Sequence, residues 1–269
     1  MRILHVWDQA GTASVIAREQ RKLGHHSLVI KNSKHDFVEI TKYYGGMLVK
    51  NKYHFVIKSI FLARKFDIIH LHDAWFMVVP LRILYPQKKI IMHYHGSLVR
   101  NEMKGEKMRL GWEKLVNAII VATPDLLEFE YSSQPYYIPN PVDTILFHKR
   151  SIPHNNKCFS SMKKGTDKNQ IFYMLSRFDF EVDLQQNKNR YVDSIKYKNF
   201  NKKLEQYEYY ADLPVINGKL IHANSVCGLQ AMSMGLKVVN WDYTISDSLP
   251  EYHRPENVVK EIEKIYQQQ

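Results

Sequence analysis

Asp67-Ile68-Ile69-His70-Leu71-His72-Asp73 and Lys89-Ile90-Ile91-Met92-His93-Tyr94-His95-Gly96 are the two stretches on which the fold of this chain turns. Each is a short Ile-rich run that ends in polar residues capable of chemistry. Runs of about four to eight apolar residues bounded by breakers read as strands buried on both faces. Between them, residues 74–84 read as a helix closed by Tyr85-Pro86. Strand, helix, strand is the unit of a parallel sheet, and such sheets bind ligands beyond the carboxyl ends of their strands. His70, His72, Asp73, His93, His95 and Gly96 fall at those ends, which predicts the floor of an active-site cleft.

Toward the N-terminus, residues 2–7 form an apolar strand, followed by the small-residue loop Asp8-Gln9-Ala10-Gly11-Thr12-Ala13-Ser14. Residues 15–23 carry helical periodicity and stop at Gly24. A strand, a tight loop and a helix start can present backbone N–H groups to an anion. Gly11 stands alone in the loop, so the dinucleotide pattern Gly-x-Gly-x-x-Gly is absent. Residues 27–31 read as the second strand. Residues 41–65 then hold Lys42, Lys50, Lys52, Lys58, Arg64 and Lys65 with no acidic residue. Tyr53, Phe55, Ile57, Ile60 and Phe61 are interleaved, and 53–65 reads as a basic amphipathic helix able to lie on an anionic membrane.

Toward the C-terminus, 103–115 reads as a charged helix, 117–122 as a buried strand, and a helix opens at Pro124. A short strand at 136–138 runs into Pro139-Asn140-Pro141-Val142-Asp143, whose prolines force a turn and close a first domain of residues 1–147. Residues 148–169 read as a polar linker and 170–175 open a second apolar series. Residues 179–203 carry no readable pattern. A strand at 209–215, a helix at 224–234 broken by Gly235, a strand at 236–241 and a closing helix at 255–268 complete a shorter second domain, 148–269. The last helix carries the stripe Val258, Val259, Ile262 and Ile265 and is a candidate to pack back on the first domain.

With 45% hydrophobic and 24% charged residues over 269 positions, the chain can build an ample core. No run is long and apolar enough to span a bilayer, and the N-terminus enters a strand rather than a signal peptide. Cys158 and Cys227 offer neither metal spacing nor a disulfide framework. A cytoplasmic setting, with peripheral contact to the inner membrane face through residues 42–65, is the expectation. There are 22 basic against 13 acidic residues in 1–150, but 16 against 14 in 151–269. The first half therefore favours anionic partners. Nucleic acid is not expected among them, since no helix-turn-helix, zinc-finger or aromatic RNA-binding signature is present.

Several pieces, taken together and in order, resemble the GT-B glycosyltransferases of family 4. They are Met1-Arg2-Ile3-Leu4-His5-Val6 with its small-residue loop, residues 67–72, His93-Tyr94-His95-Gly96, Ile138-Pro139-Asn140-Pro141-Val142-Asp143, and Gly228-Leu229-Gln230-Ala231-Met232-Ser233-Met234-Gly235-Leu236-Lys237-Val238-Val239. The resemblance implies an α/β protein of two Rossmann-like domains facing a cleft, with the second one truncated. It implies a retaining glycosyltransferase that moves a hexose-like sugar from a nucleotide-diphosphate donor to a lipid-linked, glycan or protein acceptor. No metal and no resident cofactor are implied, and the chain has no Asp-x-Asp motif. By position, Gly11 and Thr12 match the loop near the donor phosphates and the reacting sugar, and His95 the histidine near sugar and acceptor. Arg177, Lys188, Ser225 and Gln230 match the donor side, while His72 and Asp73 are candidates on the acceptor side. The family's paired Glu positions are here His222 and Gln230. That change opens the alternative of a non-catalytic binding or partner subunit.

Overall fold

The computed structural model describes residues 1–101, 106–162, 168–186, 194–216 and 219–268. The chain forms two compact units, Met1–Pro141 with Pro255–Gln269, and Val142–Arg254.

The first unit is built on a seven-stranded sheet whose pairings are all parallel. Its strands are β1 (Arg2–Val6), β2 (His26–Asn32), β3 (Met47–Val49), β4 (Ile68–His72), β5 (Lys89–Tyr94), β6 (Ala118–Val121) and β7 (Tyr136–Tyr137), in the order β3-β2-β1-β4-β5-β6-β7. The order reverses between β1 and β4, so the topological switch point lies where their carboxyl ends diverge. The helices are α1 (Thr12–Lys22), α2 (Ile40–Tyr43), α3 (Lys52–Ala63), α4 (Val78–Leu84), α5 (Ser97–Asn101) and α6 (Glu106–Glu113).

Alternation along the strands splits the core in two. Leu4, Val6, Ile69, Leu71, Ile90, Met92, Ile119 and Val121 pack toward α3 and α4 through Phe55, Ala63, Val78 and Leu81. Ile3, Ile68, Ile91, Ala118 and Ile120 point to the other face, where Ile16 of α1 meets Val258, Val259, Ile262 and Ile265. Those four belong to the closing helix, Pro255–Gln267.

Two local readings change in this unit. Residues 74–84 are not one α-helix, because Trp75–Met77 is a 3-10 turn ahead of α4. Pro80 has no N–H to return to the carbonyl of Phe76, so the α-helical ladder starts late. The helix opening at Pro124 is likewise a 3-10 segment, Pro124–Glu128. Of the helix read at 103–115, the described part is α6.

In the second unit, β8 (Lys157–Met162), β9 (Glu181–Gln186), β10 (Tyr209–Ala211), β13 (Lys237–Val239) and β14 (Ile245–Ser246) make a five-stranded sheet in the order β14-β13-β10-β8-β9. Only the β13–β14 pairing is antiparallel. A separate ribbon joins β11 (Val215–Ile216) and β12 (Lys219–Leu220), and the helices are α7 (Lys168–Leu175), α8 (Tyr197–Leu204) and α9 (Val226–Met234). The closing helix of the first unit is accordingly α10.

The polar stretch read as a linker contains β8. Its serines are satisfied internally: Ser160 Oγ donates to the Ala211 carbonyl at 2.9 Å, and Ser161 Oγ lies 3.0 Å from the Tyr210 hydroxyl. The unit also begins earlier than residue 148, since Phe147 is fully buried against Tyr197 and Phe200.

Candidate functional site

Residues two apart on a strand share a face, and this places five imidazoles side by side near the carboxyl ends of β1, β4 and β5. His5 pairs in register with His70, and His72 with His93. His70 stacks on His72 with ring centroids 4.4 Å apart, and His93 on His95 at 4.3 Å. His5, His70, His72 and His93 have no exposed surface, while His95, just past β5, is partly exposed.

Hydrogen bonds join the rings in two rows. His5 Nε2 donates to Gln20 Oε1 at 2.8 Å, His5 Nδ1 lies 3.0 Å from His72 Nε2, and His72 Nδ1 lies 2.9 Å from His95 Nε2. His95 Nδ1 ends that row 3.0 Å from Asn140 Oδ1. In the second row His70 Nδ1 meets the Tyr266 hydroxyl at 2.6 Å and His70 Nε2 lies 3.2 Å from His93 Nδ1. Burial pushes His5 and His95 down to about 4 and holds His70, His72 and His93 well below the usual histidine value. The cluster is therefore uncharged at neutral pH.

The loop after β1 lies beside this cluster. Gly11 adopts φ 83°, and a Cβ there would come within 2.6 Å of Ile40 Cγ2, so glycine is required twice over. Buried Asp8 fixes the loop by accepting from the Ser14 hydroxyl at 2.6 Å and the Thr41 hydroxyl at 2.9 Å. Thr12 Oγ1 donates to Asn140 Oδ1 at 3.1 Å, and Asp73, at φ 55°, accepts the His95 N–H at 3.1 Å. Beyond the ends of β1 and β2, Trp7, Asn32, Lys34, His35, Lys52, Phe55 and Phe76 line a cavity of about 270 Å³.

Among the donor-side residues, Arg177 is exposed and its guanidinium lies 3.8 Å over the Tyr243 ring. Ser225 caps α9, accepting the Gly228 N–H at 3.1 Å. Gln230 is buried in the same helix. Asp212 accepts the Ser225 N–H at 2.7 Å, and a Cβ on Gly228 would come within 2.1 Å of its carboxylate. The positive end of α9 is thus met by a carboxylate of the protein itself. His222 stacks on Trp241 at 4.7 Å. Lys188 lies outside the described residues.

Gly11, Thr12, His72, Asp73 and His95 are brought together at the strand ends. His72 is a core residue with both ring nitrogens engaged rather than a surface contact. His95 also has both ring nitrogens held inside the protein. Sequence reading left Gln20, Asn140 and Tyr266 without a role in the cluster. The signal for the cluster was the i, i+2 spacing of His70 with His72 and of His93 with His95.

No protein-family profile matches the chain, and no curated protein matches it. Solved structures do. MurG of Acinetobacter baumannii is similar over 97% of this chain and 83% of its own, at 9% identity and a TM-score of 0.45. The calicheamicin glycosyltransferase CalG4 is similar over 98% and 89%, at 10% identity and a TM-score of 0.47. A UDP-N-acetylglucosamine 2-epimerase is similar over 100% of this chain and 97% of its own, at 11% identity and a TM-score of 0.55. The chain therefore has the two-domain α/β fold of that structure, the GT-B architecture.

Proposed function

We propose that the protein is a glycosyltransferase that moves a sugar from a nucleoside-diphosphate donor to a lipid-linked, glycan or protein acceptor, with retention of configuration. The observation that carries this reading is the meeting at Asn140 of three segments far apart in sequence. Asn140 Oδ1 receives Thr12 Oγ1 from the glycine loop and lies against His95 Nδ1 from the His-Tyr-His-Gly segment. These are three of the pieces that resemble family 4, and their convergence beside a topological switch point is where an α/β sheet binds ligands. The shared fold also hosts chemistry on a UDP-sugar in the epimerase.

In this reading Gly11 and Thr12 approach the reacting sugar, and His95, held by His72 through Nε2, positions Asn140 through Nδ1. On the donor side, the Arg177 guanidinium, seated 3.8 Å over the Tyr243 ring, would supply N–H donors to phosphate oxygens. A departing diphosphate needs such donors where charge develops, so the diphosphate is met by side chains rather than by a chelated metal. Gln230 and Ser225 serve the ribose end of the donor.

The test is a thermal-shift and transfer screen with UDP-, GDP-, ADP- and dTDP-sugars. A donor that binds the native state raises its melting temperature by mass action. Arg177→Ala should weaken that donor about 10- to 100-fold, the worth of a hydrogen bond to a charged group. If no donor shifts the melting temperature at millimolar concentration, the reading fails and the non-catalytic alternative replaces it.

The acceptor side is proposed to meet an anionic membrane. Tyr53, Ile57 and Phe61, one helical face of α3, are 78%, 49% and 71% exposed. Exposed Lys50, Lys52, Lys58, Arg64 and Lys65 surround them. Apolar anchors within a basic rim are the pattern of an interfacial helix. Vesicles containing phosphatidylglycerol should bind the protein and phosphatidylcholine vesicles should not. The Tyr53→Ser/Phe61→Ser variant should lose at least about tenfold in partitioning, and equal binding to both vesicle types would sink the idea.

A further inference from the structure

We propose that His72, His93 and His95 form a binding site for one divalent transition-metal ion of the zinc class at the strand ends of the first unit. The inference does not rest on the transferase reading, although it shares His95 and Asn140 with it. One ring nitrogen from each of the three lies within 4.8 Å of the other two. The remaining hydrogen bonds identify which nitrogens are available: His72 Nε2 faces His5, His93 Nδ1 faces His70, and His95 Nδ1 faces Asn140. That leaves His72 Nδ1, His93 Nε2 and His95 Nε2. His93 Nε2 is fully buried and has no hydrogen-bond partner among the described residues. His72 Nδ1 and His95 Nε2 are 2.9 Å apart. A tetrahedral ion with Zn–N bonds of roughly 2.0–2.1 Å separates its nitrogens by about 3.3 Å, so this pair need open only slightly.

A proton count points the same way. His5, His72 and His95 form a row between two carbonyl oxygens, Gln20 Oε1 and Asn140 Oδ1. The four contacts along that row need one proton each, and three neutral imidazoles carry three. An ion between His72 and His95 removes the deficit. His95 then donates to Asn140, His72 to His5, and His5 to Gln20. His93 turns its lone pair to the ion and donates Nδ1–H to His70, which donates to the Tyr266 oxygen. Each ligand imidazole thereby gives its second N–H to an outer partner, the arrangement that orients metal-bound histidines.

The other grouping, His5, His70 and His72, fits less well. Both nitrogens of His70 are already committed, to Tyr266 and to His93. Three neutral nitrogen donors suit zinc, cobalt, nickel or copper and not magnesium or calcium, which take oxygen. His95, partly exposed, gives the ion its way in.

The experiment is calorimetric titration of the full-length, chelator-stripped protein with Zn²⁺, Co²⁺ and Mg²⁺. The expected result is one Zn²⁺ per chain, visible absorption bands of tetrahedral intensity with Co²⁺, and no heat with Mg²⁺. His93→Gln should weaken Zn²⁺ by at least about 100-fold, and Asn140→Ala, which removes an outer partner, by about 10- to 100-fold. Exposed His148→Gln should leave binding unchanged. Should His93→Gln fail to fold, Asn140→Ala and the Co²⁺ spectrum decide the matter. Absence of saturable 1:1 binding, or equal affinity in wild type and Asn140→Ala, overturns the proposal and leaves a turned amide or a shared extra proton as the way the row balances.

Discussion

Replacing Glu113 with alanine is expected to destabilise the first unit by about 3–5 kcal/mol, the cost of leaving one member of a buried ion pair unpaired. Arg109 and Glu113 are 2% and 3% exposed. Glu113 Oε1 accepts from Arg109 Nη1 and from the Tyr94 hydroxyl, the latter at 2.8 Å, while Oε2 accepts the Ser132 N–H at 3.1 Å. Arg109 also donates to the Glu130 carbonyl at 2.7 Å and lies 5.0 Å over the Tyr131 ring. Without the carboxylate, a guanidinium, a phenol and a peptide N–H lose their acceptor where water does not reach. The double variant Arg109→Met/Glu113→Leu removes both charges and should recover the part of the loss that comes from the unpaired guanidinium, while the Tyr94 hydroxyl and the Ser132 N–H still lack their acceptor. Urea unfolding reads both as shifts of midpoint. A loss below about 1 kcal/mol in Glu113→Ala would mean that the pair is effectively solvated.

Ile262→Ala should cost about 2–5 kcal/mol, the range for emptying a well-packed aliphatic site. Ile262 has no exposed surface and lies in the cluster that joins α10 to Ile3, Ile16, Ile68, Ile91 and Ile120. The exposed neighbour Lys260, changed to alanine, should stay within about 0.5 kcal/mol. If the two variants unfold at the same denaturant concentration, α10 is not part of that core.

What could be read from the sequence followed from whether each element is buried on one face or two. Strands β4, β5 and β6 are unbroken apolar runs because both their faces are covered, and they were legible at once. The stripe Val258, Val259, Ile262 and Ile265 was equally plain. β8 was not, since Ser160 and Ser161 give a polar reading that only their internal hydrogen bonds explain. β9 and α8 fell in a stretch whose Asn, Lys and Gln content hides both periodicities. At the site, the chemistry-bearing residues at the strand ends could be named, but their connections could not. That His95 and Thr12 share Asn140 depends on the fold of residues far apart in sequence, and that His72 is a core group depends on α1 and α10 covering its face.

The return of α10 to the first sheet has a consequence for how the chain is made. Residues 142–254 are complete on leaving the ribosome before the helix that covers Ile3, Ile68 and Ile120 has been synthesised. Residues 2–141 must therefore wait to complete their core, with part of an apolar sheet face uncovered until residue 265 emerges. The core of the first unit is thus completed only after the whole of the second unit has been synthesised, unlike a domain that is contiguous in sequence.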